Sequence, residues 1–221
     1  MTSDAPDVLY ELTDKVAPEH TALVLVDMVN DFIDPKGKTA VKANRPIDFA
    51  RSVIPAMRGL LEAARAAGVM VVHVQHTTLP NHASSSGPWL DARSRATYSV
   101  DDICLDGTWG QQIIDELEPL PGEAVVKKYR YSGFAGTNLD LVLRSAGRRT
   151  VVCAGVSTNA CVEATAREAF SLDYYVVYAG DACASWNMEL HEATLASAAH
   201  RYAIVTDSTS MATSWASANE R

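Results

Sequence analysis

The sequence predicts an α/β domain built on a parallel sheet with helices on both faces. Three observations carry that expectation. Short β-rich apolar runs alternate with amphipathic helical patterns, as repeated β-α-β units require. Six such runs stand out as strand candidates. Gly68 and Gly147 each stand where a helical pattern hands over to the next apolar run, the usual place for a left-handed helix stop.

Taken in order, "TALVLVD" (21–27) reads as the first strand, followed by a helical pattern over 48–66 that Gly68 ends. "VMVVHVQ" (69–75) is the second strand. The interval 76–106 that follows is too long and too rich in turn residues for an ordinary connection, so it is expected to roof a pocket. A helix is expected over 109–117, then the strand "EAVVKK" (123–128) and a helix over 136–147. "TVVCAG" (150–155), a helix over 160–171, "YYVVYAG" (174–180), a helix over 189–200, "YAIVTD" (202–207) and a last helix over 209–217 complete the chain. No repeat or interdomain linker interrupts the series, so residues 20–221 are expected to form one domain after an N-terminal extension of residues 1–19.

At 221 residues the chain is long enough to bury its core without staples. Its four cysteines, Cys104, Cys153, Cys161 and Cys183, show no CxxC spacing and support neither a zinc ribbon nor a disulfide framework. A reducing compartment fits them. No run of about 18 apolar residues occurs, and the acidic, polar N-terminus lacks the pattern of a secretion signal, so a cytoplasmic protein is expected. The formal net charge of −8 and the scattered Lys and Arg argue against nucleic acid or an anionic membrane as partner. A small molecule is the expected partner.

Ligands of open parallel sheets bind beyond the carboxyl ends of the strands. Asp27 ends the first strand, Lys128 ends the third, and Cys161 follows the fourth across "GVSTNA". Each has a plain structural reading, as a turn residue, a solvated lysine and a small buried hydrophobe. Together they offer chemistry. A cysteine in the first turn of a helix has the unpaired N–H groups and the macrodipole near its sulfur, which favour the thiolate and lower its pKa. The same N–H groups suit an oxyanion. Asp27 is placed to act as general base and Lys128 to hold that carboxylate ionised. His191 and His200 fall in a helical pattern, so a Cys-His pair is the weaker assignment. A non-catalytic nucleotide-binding or other small-ligand-binding module is the reading from another class, but no GxGxxG follows the first strand and no GxxxxGK[ST] occurs.

"LVLVDMVNDF", the lysine of "KKYRYSGFAGTNLDLVLRSAGRRTVVCAGVSTNACVEATAREAF" and "VVYAGDACAS" resemble the isochorismatase-like cysteine hydrolases from about residue 20 to residue 210. That resemblance implies a three-layer α/β/α sandwich with a six-stranded parallel sheet in the order 3-2-1-4-5-6. It implies Asp27, Lys128 and Cys161 as catalytic residues, a cis peptide at Val156-Ser157, and the N–H groups of Ser157 and Cys161 as oxyanion donors. A homodimer or homotetramer is implied as well, with Trp215 compatible with an interface. The stretch "GTWGQQIIDELEPLPGEAVVKKYRYSGFAGTNLD" is similar to the ureidoacrylate amidohydrolases, and streptothricin hydrolase and other amide-cleaving members share much of it. Val29 departs from the Gln that many members carry, which removes a polar contact beside the first strand.

Nicotinamidase-like members carry an Asp-x-His and a further His as metal ligands. Here the matching region has His73, His76 and His82 without the carboxylate, so neither metal nor cofactor is expected. Isochorismatase itself acts without a nucleophilic cysteine, so Cys161 favours cleavage of a non-peptide C–N bond, at an amide or ureido group of a small substrate, through a thioester that water releases. Asn30, His76, Trp89, Trp109, Arg130 and Tyr131 are expected substrate contacts because they fall near strand ends or in the long interval. Arg130 is the expected partner for a substrate carboxylate.

Overall fold

The computed structural model describes residues 6–95 and 102–218. Its six strands are β1 (Thr21–Val26), β2 (Met70–His76), β3 (Ala124–Lys128), β4 (Thr150–Val156), β5 (Tyr175–Ala184) and β6 (Ile204–Thr206). All pair in parallel, in the order β3-β2-β1-β4-β5-β6. The longer helices are α1 (Ile54–Ala66), α2 (Gly87–Arg95), α3 (Leu139–Ser145), α4 (Glu163–Ser171), α5 (Met188–Arg201) and α6 (Ser208–Ala218).

The period of two along each strand divides the core between the two faces. Leu23 and Leu25, with Val152, Ala154 and Val177, pack against Met57, Leu60 and Leu61 of α1 and against Met211 and Trp215 of α6. Val24, Val26, Val74 and Val126 point the other way, onto Leu139 and Leu143 of α3, Ala166 and Ala169 of α4, and Ala198 of α5. Both faces are apolar because both are covered, which is why the strands read as continuous apolar runs. Trp215 is fully buried and its Nε1 donates to the carbonyl of Val16 at 2.9 Å. It fills the core, so it offers no interface.

Several elements differ from the expected ones for local reasons. The pattern over 48–66 is two helices, Asp48–Ser52 and α1, and Pro55 lies in the first turn of the second, where a missing N–H goes unneeded. Gly68 and Gly147 do stop helices, with φ of 72° and 69°. The expected helix over 109–117 is instead two 3-10 turns, Trp109–Gln111 and Asp115–Leu117. Between them Ile113 bridges antiparallel to Val29, with Asn30 N–H donating to Gln112 O and Ile114 N–H to Met28 O. Pairing with a segment more than eighty residues away wins over the local helical period. Finally, β5 continues past the expected stop at residue 180 to Ala184. Asp181, inside this longer strand, accepts from Ser208 N–H at 2.7 Å and from Ser208 Oγ at 2.6 Å, which ties β5 to the start of α6.

Candidate active site

The carboxyl ends of β1, β3 and β4 bring three ionisable side chains together. At Asp27 the backbone turns to φ 56°, which ends the alternation of β1 and is tolerated by Asp better than by most residues. Val126 faces the α3–α5 layer, so Lys128, two residues on, points the same way. Its stem crosses β2 to reach the end of β1. Lys128 Nζ lies 2.7 Å from Asp27 Oδ2, donates to the carbonyl of Arg130 at 3.0 Å and to Cys161 Sγ at 3.3 Å. The ammonium thus has one ion-pair partner and two hydrogen-bond acceptors.

Cys161 comes from the far side of the same end. After β4 the peptide Val156-Ser157 is cis, as expected, and a π-helical turn, Thr158–Val162, runs into α4. Ser157 Oγ donates to Asn159 Oδ1 at 2.8 Å, and Ser185 Oγ donates to the same oxygen at 2.6 Å. Thr165 Oγ1 donates to the carbonyl of Cys161 at 2.7 Å. Gly155 lets this turn sit close to β1. Its φ is 127°, and a Cβ there would lie 2.1 Å from the carbonyl oxygen of Val26.

Asp27 and Lys128 are fully buried, whereas Cys161 keeps 9% of its surface, which opens into a cavity. Phe32, His76, Trp89, Arg93, Ile103, Tyr131, Ser157, Ala160, Cys161 and Trp186 line it. The aromatic side chains form one connected wall. His76 lies 6.0 Å from Phe32 and from Trp89, Trp89 is 4.9 Å from Tyr131, and Phe32 is 6.3 Å from Trp186.

Burial sets the protonation of this cluster. It raises the Asp27 carboxyl, against the opposing charge of Lys128. Burial alone would lower Lys128, but Asp27 and Cys161 outweigh it and hold the ammonium above its ordinary value. The thiol of Cys161 is pushed up to about 12 by burial, with Lys128 opposing and Asp27 adding to the rise. This reverses the expectation of a lowered thiol pKa, because loss of water outweighs the turn's N–H groups at this depth. The resting sulfur therefore carries its proton. His76 is held well below its usual value, first by burial and then by the charges of Lys128, Arg93 and Arg130, so its imidazole is neutral.

Of the six expected substrate contacts, His76, Trp89 and Tyr131 reach the cavity wall. Asn30, Trp109 and Arg130 lie elsewhere. Asn30 Nδ2 donates to the carbonyl of Trp109 at 2.9 Å, which ties that turn to the short helix Asn30–Ile33 carrying Phe32. The Arg130 guanidinium donates to Ser84 O and Tyr129 O and lies over Trp89, 5.3 Å from the ring. Its contact with the cluster is through its carbonyl. Phe32, Arg93, Ile103, Ala160 and Trp186 line the cavity without having been picked out in the sequence. The three histidines are dispersed. His73 is 3.1 Å from Glu123, His76 is in the wall, and His82 is near Ser85. Among the described residues no three His, Cys, Asp or Glu gather as a metal site.

The sequence profile of the isochorismatase domain matches residues 21–210. The chain belongs to the isochorismatase family. Within it, the ureidoacrylate amidohydrolase RutB of Agrobacterium fabrum is 38% identical over 174 residues, 75% of this chain and 76% of that protein. RutB of Azorhizobium caulinodans is 37% identical over 176 residues, 76% of this chain and 77% of that protein. The crystal structure of a cysteine hydrolase from Pseudomonas syringae pv. phaseolicola covers 99% of this chain and 100% of its own, with a TM-score of 0.83 and 28% identity. N-carbamoylsarcosine amidase from Thermoplasma acidophilum shares 32% identity with a TM-score of 0.68, covering 85% of this chain and 96% of its own. The isochorismatase fold expected from the sequence, with its strand order, is the fold this chain adopts. It is a hydrolase of that family with amidohydrolase relatives.

Proposed function

We propose that this family member is a cysteine-dependent amidohydrolase that cleaves a terminal amide or ureido C–N bond of a small molecule. The observation that carries the reading is the buried cluster of Asp27, Lys128 and Cys161, whose only sulfur edge opens into an aromatic cavity. Ureidoacrylate and N-carbamoylsarcosine, the compounds named for two relatives, both carry a carbamoyl group on nitrogen. A ureido acid is therefore the favoured substrate class.

The raised thiol pKa favours one order of events. With a protonated sulfur at rest, Asp27 removes the proton as Cys161 attacks the carbonyl carbon, so charge never sits on sulfur without a partner. The Lys128 N–H already aimed at Sγ stabilises the developing thiolate. The N–H groups of Ser157 and Cys161 take the oxyanion. Asp27 then passes its proton to the departing nitrogen, which leaves as ammonia. An acyl group remains on sulfur. Water, deprotonated by the same carboxylate, attacks it, and the acid leaves as the thiol regains its proton.

Ammonia release at neutral pH from ureidoacrylate, N-carbamoyl acids, biuret, nicotinamide and a streptothricin lactam tests the reading, with chelated enzyme and Cys161→Ala beside the parent. Release that needs Cys161 and ignores the chelator is the expected result. Silence on every compound would favour a non-catalytic ligand-binding role.

A further inference from the structure

Among the described residues the cavity wall holds one permanently charged side chain, Arg93, and it is not the arginine the sequence singled out. Trp89 and Arg93 are separated by one turn of α2 and both enter the cavity. The other titratable groups of the wall are uncharged at neutral pH. His76 is a neutral imidazole, burial raises the Tyr131 phenol, and burial raises the Cys161 thiol. Behind the wall, the charges of Asp27 and Lys128 offset one another at 2.7 Å. Among the described residues, the cation that lines the cavity and can meet an anionic group on a bound ligand is Arg93.

We propose that Arg93 is the specificity-determining residue of this site, pairing with a carboxylate on the part of the substrate remote from the scissile carbonyl. This rests on the amidohydrolase reading and narrows its substrate to acids. Arg93 enters from α2 and Cys161 from the turn after β4, so a ligand spanning the cavity presents its carbonyl to one and its anion to the other. A guanidinium has five donors in a planar fork, enough to take a carboxylate while keeping a second contact. Arg130 does not compete for the role. It lines a different depression with Leu79 and Tyr129. The remainder of the cavity is apolar and aromatic, which suits a flat, unsaturated or N-alkylated acid better than a polyhydroxylated one.

Ureidoacrylate and its methyl ester, nearly equal in size, separate charge recognition from turnover. The measured quantity is the ratio of their kcat/KM values, acid over ester. In the parent the acid is expected to be favoured. Arg93→Gln is expected to lower the ratio roughly tenfold to a hundredfold, the usual worth of a hydrogen bond to a charged group, and Arg93→Lys to fall between. Circular dichroism and Tm of Arg93→Gln matching the parent confirm that the fold is intact. Equal ratios in parent and Arg93→Gln, with turnover in both, overturn the role of Arg93 and leave the amidohydrolase reading standing. Absence of turnover of both compounds by the parent overturns the ureido-acid reading and this inference with it.

Discussion

Lys128 and Asp27 meet as a fully buried ion pair across β2, with Nζ 2.7 Å from Oδ2. Neither carboxylate oxygen accepts a well-aligned hydrogen bond from the described residues, so the ammonium is the main compensation for burying that charge. Removing one partner leaves the other stranded. Lys128→Met is expected to cost about 3–5 kcal/mol of unfolding free energy at neutral pH, and to cost less in the background of Asp27→Asn. Urea denaturation of the two single variants and the double variant checks this. Independent, additive losses would show that the pair is not coupled as the geometry requires.

The pH behaviour follows from the directions of the shifts. Asp27 has its folded pKa raised above the unfolded value of about 3.9. Its contribution to stability is therefore complete below that value and is lost as pH rises through the folded pKa, so this carboxyl does not drive acid unfolding. In the proposed mechanism activity runs the other way, because Asp27 must be ionised to take the thiol proton. The acid limb of kcat/KM is expected above the ordinary carboxylate range. With the thiol pushed up to about 12, no thiolate absorbance is expected between pH 7 and about 9 in the resting protein. An ultraviolet thiolate step near neutral pH that vanishes in Cys161→Ala would contradict the proton-on-sulfur ground state.

Gly155 couples the turn that carries Cys161 to the strand that ends at Asp27. A side chain there adopts a strained φ and drives its Cβ into the Val26 carbonyl, one residue before Asp27. Gly155→Ala is expected to lower stability by at least the roughly 1–3 kcal/mol of a forced backbone conformation, and to lower kcat as the ends of β1 and β4 separate. A thermal melt and a rate measurement test both halves. A variant with parental Tm and kcat would mean that the close approach does not position the site.

How far the sequence foretold this arrangement depends on whether the signal is local. β1 and β4 were legible because strands buried on both faces are apolar at every position. Asp27, Lys128 and Cys161 were legible because polar residues at the carboxyl ends of such runs stand out, and because the family resemblance placed them in one site. The helix expected over 109–117 failed where Ile113 pairs with Val29, a contact no short window contains. Trp186 escaped for a related reason. Ending β5 at residue 180 hid the fact that Trp186 stands just past a strand's carboxyl end, the same signal that exposed Asp27. Phe32 belongs to a short helix that reads as core, and Arg93 was recoverable from its one-turn spacing to Trp89 once α2 was recognised.

The most direct test of the central claim is the intact mass of the protein, quenched in acid during turnover of a ureido acid that it cleaves. The account expects an acyl adduct that maps to Cys161, is absent from Cys161→Ala, and fails to form in Asp27→Asn. Steady ammonia release from Cys161→Ala at the parental rate, with no adduct at any time in the parent, would contradict it.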